Sequence, residues 1–277
     1  MKILILSDLH LEVNGFTPGN SCADIDVVVL AGDITKPATA AVEWARNEPT
    51  FKHAKAIVFV PGVLEHWSSF PNNVVDEMRQ AAIGSHVHIL DSSELVVQGV
   101  RFLGLTLWTD YQLSVKTNVG LISNSQLSVE VGRKMIANYF HTFSTQVDFD
   151  EEDVLNDVKT LPTPEQLVLL HQESTKWLSQ KLSEPFSGKT VVVSHHAPNR
   201  NSIDWRLTDD WTTPAAVNEL PEEFFEVPSL WIHGRSNCDL RYEVKNCTVI
   251  SNPRGPVPDR HWAGENRHFD PSLIVSL

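Results

Sequence analysis

The chain has 277 residues, 42% hydrophobic and 21% charged, enough for a sizeable core in one large domain or two small ones. A formal net charge of −13 repels nucleic-acid backbones, and no apolar run approaches the ~20 residues that span a bilayer. A polynucleotide-coating protein and a helical membrane protein are therefore both disfavoured, and a small phosphorylated ligand or a metal fits the charge more easily.

In chain order, the first element expected is a buried strand over residues 3–6. Its apolar stretch meets Asp8 and His10 almost at once, which sets it apart from a signal peptide. Further short, β-branched apolar runs at 27–30, 57–60, 191–193 and 230–232 read as central strands covered on both faces. Helical stretches at 37–46 and 74–83 follow the second and third strands, and this alternation predicts an α/β layered fold. Residues 94–97 and 100–105 flank Gln98-Gly99 as a hairpin. The span 109–161 is polar, carries an acidic run at 148–153 and holds one helix candidate at 128–140. It reads as an excursion or lid over one end of the sheet. A strong helix follows, with Thr163 as N-cap, Pro164 in the first turn and Gln166 completing a capping box. Its predicted core stripe is Leu167, Leu170, Ser174, Trp177, Leu178 and Lys181. The tail alternates short strands with turns. No repeat or linker divides the chain, so residues 1–277 read as one domain. The cysteines Cys22, Cys238 and Cys247 lack CxxC spacing and read as reduced thiols of a cytoplasmic protein, although Cys238 and Cys247 are spaced to meet across a hairpin.

The chemistry lies immediately after each buried strand. Ser7-Asp8-Leu9-His10 follows the first, Gly32-Asp33 the second and Pro61-Gly62 the third. Ser194-His195-His196 and His233-Gly234 follow the strands at 191–193 and 230–232. Ligands bind at the carboxyl ends of strands in α/β sheets, so these groups should converge. Converging carboxylates and imidazoles are good ligands for divalent transition metals.

These ordered motifs, Ser-Asp-Leu-His, Ala-Gly-Asp-Ile, Val-Ser-His-His-Ala-Pro and Trp-Ile-His-Gly, resemble those of the calcineurin-like metallophosphoesterases. The segments 104–110, 252–255 and 269–271 resemble a bacterial branch of that family. The resemblance implies a four-layer α/β/β/α sandwich with a dinuclear site that hydrolyses phosphomonoesters or phosphodiesters. It implies that Asp8 and His10 bind the first metal, that Asp33 bridges both, and that His195 binds the second.

Four positions depart from the pattern. Val63 and Leu64 stand where the family has Asn and the transition-state His, so the catalytic position is occupied by Leu64. Arg235 and Asn237 stand where it has a second-metal and a first-metal His. The first site keeps Asp8, His10 and Asp33, and Asn237 still offers a carbonyl oxygen. The second keeps only Asp33 and His195, and it gains a permanent cation in Arg235.

The expectation is therefore a phosphoesterase scaffold holding at most one divalent ion (Mn, Fe, Zn or Mg), with little or no turnover. Such a pseudoenzyme would bind a small phosphorylated ligand, a phosphodiester or a protein partner. The alternative is an active enzyme with a mononuclear or rebuilt site. Arg235, His196 and Arg254 are the candidate phosphate contacts. His66 reads as ordinary packing rather than as a stand-in for the missing histidine, and a metal-free cluster neutralised by Arg235 is the plain alternative to metal binding.

Overall fold

The computed structural model describes residues 1–19, 24–68, 71–144, 162–236, 238–256 and 266–277. All five predicted buried strands form, each within one residue of its expected ends. They are β1 (Lys2–Leu6), β2 (Val27–Leu30), β3 (Ala56–Phe59), β9 (Thr190–Ser194) and β10 (Leu230–His233). Their side chains are buried almost without exception, as expected of strands covered on both faces.

The first three strands, with β4 (Val87–Ile89) and β13 (Ile274–Ser276), make a five-stranded sheet in the order β13-β1-β2-β3-β4. Only β13 runs antiparallel in it. The remaining two form a six-stranded sheet with β5 (Ser93–Val97), β6 (Val100–Leu105), β11 (Leu240–Val244) and β12 (Cys247–Ser251). Its order is β11-β12-β10-β9-β6-β5, with antiparallel edges. Those edges, β5 and β11, show the exposed/half-buried alternation of strands that face water on one side. The hairpin turn Gln98-Gly99 has positive φ at both residues, as a two-residue hairpin loop requires.

The inner faces meet through Ile3, Ile5, Val29 and Val58 on one side and Phe102, Val193, Ile232 and Ile250 on the other. The outer face of the first sheet is covered by α1 (Ala38–Asn47) and α2 (Pro71–Ala82), which pack Val42, Ala45, Val75 and Met78 onto Leu4, Leu30 and Phe59. On the far face of the second sheet, Leu178 and Leu182 of α4 (Pro164–Ser183) pack on Leu105, Val192 and Trp231. This is the α/β/β/α sandwich. Each buried Val, Leu or Ile contributes roughly 1.5–3 kcal/mol, so the layers are held chiefly by these three apolar seams.

The helix α4 has the predicted capping box. The Thr163 amide donates to Gln166 Oε1 at 2.8 Å and the Gln166 amide to Thr163 Oγ1 at 3.3 Å. Its buried stripe differs from expectation at its end: Leu182, not Lys181, faces the core. His171 is also inside, with Nδ1 bonded to the Leu107 carbonyl at 2.9 Å. Cys238 and Cys247 are free thiols.

In the predicted excursion, α3 (Ser125–Ser144) begins three residues before the helix expected from sequence. Asn124 caps it, its Oδ1 accepting the Leu127 amide at 3.1 Å. A hairpin of β7 (Val115–Thr117) and β8 (Gly120–Ile122) precedes α3 and was not expected. At Gly132 the helix lies so close to Tyr111 that an added Cβ would stand 2.5 Å from the ring. Residues 145–161, including the acidic run, lie outside the described residues. Among the described residues no helix is long and apolar enough to cross a membrane.

Candidate metal centre at the strand ends

Strand register brings the site together. Leu6, Leu30 and Phe59 stand side by side at the ends of β1, β2 and β3, and Ser194, His233 and Ser251 do so in the second sheet. The residues that follow them therefore emerge at one edge of the sandwich. There the backbone is strained. Asp8, His10, Asp33 and Arg235 have φ of 51°, 48°, 54° and 57°, a region that costs a non-glycine residue about 1–3 kcal/mol. Such strain persists only where surrounding bonds impose it. The Asp8 amide donates to the Gly32 carbonyl at 2.9 Å, and the His10 amide to the Asp33 carbonyl at 3.2 Å.

Asp8, His10 and Asp33 are buried, and each offers one ligand atom, all within 4.8 Å of one another. The two histidines of the site are held alike. His195 donates Nδ1–H to the Ala31 carbonyl at 2.9 Å, which turns Nε2 towards Asp33 Oδ2 at 3.4 Å. His10 donates Nδ1–H to Glu12 Oε1 at 2.9 Å, which leaves Nε2 as the nitrogen that can face a metal. Among the described residues, the approach to Asp33 is the one polar contact of the buried His195 Nε2, which makes no hydrogen bond of ordinary geometry. This donor set, two carboxylates and imidazole nitrogen, fits a divalent ion such as Mn, Fe, Zn or Mg.

The charges balance internally. Burial raises the Asp8 carboxyl, helped by Asp33, while His195 and His10 oppose it. Burial would raise Asp33 too, but His195, Arg235 and His10 overcome it and hold that carboxyl well below the usual range. The reverse holds for the imidazoles: burial lowers His195 and His10, yet Asp33 and Asp8 for one, and Glu12 with Asp33 for the other, leave both raised. Metal binding needs these imidazoles neutral and these carboxylates ionised, so a dication would compete with protons for the site.

Around Asp33 the departures have distinct structural fates. The Leu64 side chain is fully buried, but its amide still donates to Asp33 Oδ1 at 2.6 Å. Glu65 accepts four backbone N–H bonds: from Gly62 (2.7 Å) and Asp33 (2.9 Å) on Oε2, and from Ile34 (2.7 Å) and Thr35 (3.3 Å) on Oε1. Burial and the nearby Asp33 push this carboxyl to about 7 against those bonds. Gly62 packs on Asp33 and His195 so tightly that any Cβ would collide with both. Val63 has joined an apolar cluster with Trp108, Tyr111 and Leu167. Arg235 donates its amide to both Asp8 oxygens at 3.2 Å and places Nη1 3.6 Å from Asp33 Oδ2, its side chain 24% exposed.

Arg254 and His196, both expected to contact phosphate, are bonded to backbone carbonyls. Arg254 donates to the carbonyls of Leu9 (2.8 Å), Asn14 (2.9 Å) and Gly15 (3.1 Å) and lies over the Phe16 ring, so it fastens the loop behind His10. His196 bonds the Thr106 carbonyl through Nδ1 at 3.1 Å. Burial and the nearby His195 and Arg235 hold it well below 6.5, so it brings no positive charge to an anion. It packs instead between His195 and Trp108, with ring centroids 5.2 and 5.3 Å away.

His66 also packs on Trp108, ring centroids 5.2 Å apart and tilted by 42°, and among the described residues its buried ring nitrogens have no hydrogen-bond partner. Burial lowers it to about 4, so it is neutral near pH 7. His233 is tied to Ser202 and to the Gly234 carbonyl. Asp204 is buried and gripped by Arg206, while Trp205 beside it is exposed. Asn237 lies outside the described residues.

Sequence reasoning missed Glu12 and Tyr111. A carboxylate two residues beyond a candidate ligand histidine was the available signal for Glu12. Tyr111 gave none, because its role depends on the path of the excursion.

The chain aligns over 92% of its length with a solved structure, phosphopantetheinyl hydrolase from Mycobacterium tuberculosis, covering 90% of that protein at 13% identity and a TM-score of 0.61. The likeness is one of fold, consistent with the α/β/β/α sandwich described above. A 5′-nucleotidase structure from Staphylococcus aureus aligns at 12% identity over 91% of the chain, with a TM-score of 0.38, too low to carry an argument; the chain spans about half of it (48%). No family model matches the chain, and no curated protein matches it.

Proposed function

We propose that this chain is a calcineurin-like metallophosphoesterase homologue that binds one divalent ion at Asp8, His10 and Asp33, with Asn237 a further ligand, and turns over slowly or not at all. The observation that carries this is the asymmetry about Asp33: a buried ligand trio on one side, and Val63 in an apolar cluster with Arg235 on the other. When bound, a divalent ion supplies Lewis acidity towards a phosphoryl oxygen and lowers the pKa of a water. Around it, the chain's own residues orient His10 and His195 through their Nδ1 atoms and hold Asp33 by the Leu64 amide. Arg235, partly exposed, is the group that would meet a small phosphorylated ligand or phosphodiester, and its planar fork suits two phosphate oxygens. The excursion at 109–161 is the lid of this cleft in a single cytoplasmic domain, and a protein partner is compatible with the same role.

A second reading, an active phosphodiesterase or phosphatase with a mononuclear site, is favoured by the intact Glu65 clasp, which keeps Asp33 in place. The test is metal analysis of the purified protein beside a bis-p-nitrophenyl phosphate assay with added manganese. About one ion per chain with negligible turnover is expected. Two ions per chain would sink the proposal, and one ion with manganese-dependent turnover would select the second reading.

A further inference from the structure

Arg235 faces both carboxylates of the trio. Its amide reaches the two Asp8 oxygens at 3.2 Å, and its guanidinium stands 3.6 Å from Asp33 Oδ2. The amide is fixed by the left-handed backbone at φ 57°, whereas the guanidinium pairs at long range and its side chain is partly open to solvent. Asp33 is the shared element: Oδ1 is taken by the Leu64 amide, and Oδ2 is met by both His195 and Arg235.

We infer that Arg235 is a tethered cation that a metal ion at Asp8, His10 and Asp33 releases towards solvent, so that the ion and a phosphate anion bind cooperatively. This rests on the single-metal reading above. A dication sharing Asp33 removes the carboxylate charge that holds the guanidinium and repels it at short range. Alone, then, Arg235 and the ion oppose each other. A phosphate between them reverses the sign, because its oxygens pair with the guanidinium fork on one side and the ion on the other. By linkage, whatever factor phosphate adds to metal affinity, metal must add to phosphate affinity. Asp8 adds a further reason. Its two oxygens stay bound to the rigid Arg235 amide, so releasing the side chain does not dismantle the trio.

The experiment measures free manganese by electron paramagnetic resonance during titration of the full chain, with and without inorganic phosphate. In the unaltered protein, saturating phosphate should tighten manganese at least about tenfold. In Arg235→Met, manganese alone should bind several-fold more tightly than in the unaltered protein, and the phosphate effect should vanish. A phosphate effect of equal size in Arg235→Met would overturn the inference. Phosphate affinity of the unaltered protein, measured by calorimetry with and without manganese, gives the same factor independently of any variant. If manganese binds there and phosphate affinity does not change, the coupling is wrong while the single-metal reading stands. If manganese does not bind at all, both fall.

Discussion

The two sides of Asp33 have the same origin in the fold and different contents. On the side of Asp8 and His10, buried ligands keep their hydrogen-bonded supports: Glu12 behind His10, and the Gly32 carbonyl on the Asp8 amide. On the side of His195, the support survives without the chemistry. The loop after β3 still closes on Asp33 through the Leu64 amide and the four N–H groups on Glu65, but Val63 and Leu64 are apolar and Arg235 fills the approach. The Leu64 amide bond to Asp33 does not depend on the side chain at position 64, and Glu65, whose carboxylate makes the other bonds, is retained. Ligand side chains can therefore be lost singly without loosening the carboxylate, and the fold tolerates half a site.

The harshest way to break the comparison is Asp33→Asn, since both sides share that carboxylate. His195 and Arg235 would lose their buried partner, which typically costs about 3–5 kcal/mol. Metal binding should be lost as well. Thermal unfolding would show the first effect and calorimetry with manganese the second; an unaltered midpoint would mean that Asp33 is not the hub described here.

The converse is to rebuild the altered side with Val63→Asn, Leu64→His, Arg235→His and Asn237→His together. Metal content should rise to two ions per chain. Phosphodiesterase activity should gain on the order of 10²–10⁴-fold from the restored histidine as general acid. Val63→Asn places an amide against Trp108, Tyr111 and Leu167, so some stability will be lost in exchange. Metal analysis showing one ion after all four changes would mean that the scaffold itself has moved.

Acid should separate the site from its surroundings. His66 and His233, both buried, are lowered to about 4, chiefly by burial. The unfolded chain takes up protons near pH 6.5 and the folded one does not, so their stabilisation is complete above 6.5 and declines as pH falls towards 4. By pH 5 each should have cost about 2 kcal/mol. Glu65, His10 and His195 are raised on folding and move the total the other way. The check is therefore the difference in denaturant midpoint between the chelator-treated unaltered protein and His66→Phe, which should change by about 2 kcal/mol between pH 7 and 5.

How far the sequence could be read follows the same division. Short β-branched runs and the residues after them were legible, because strand ends in an α/β fold converge by topology. So was the capping box of Thr163 and Gln166, a purely local device. Donor allocation was not legible. Arg254 and His196 have the right types at the right ends of strands, yet nearby carbonyls take them up. The β7–β8 hairpin and the placement of Tyr111 against Gly132 rest on contacts between segments that carry no pattern of their own.

The finest test concerns the retained side. Glu12 accepts the His10 Nδ1 proton at 2.9 Å, and both residues are largely buried. With a carboxylate there, the Nε2 lone pair is presented to the metal and the imidazole is more basic. Gln at position 12 keeps an acceptor oxygen and the volume but loses the charge, so Glu12→Gln should fold normally and weaken manganese about 10–100-fold. On the altered side the corresponding support is the neutral Ala31 carbonyl behind His195, so no charge change is available there. A calorimetric titration decides the matter. Unchanged manganese affinity with reduced stability would make Glu12 a partner of the His10 cation alone, and the two sides of Asp33 would then differ only in their ligands, not in how those ligands are held.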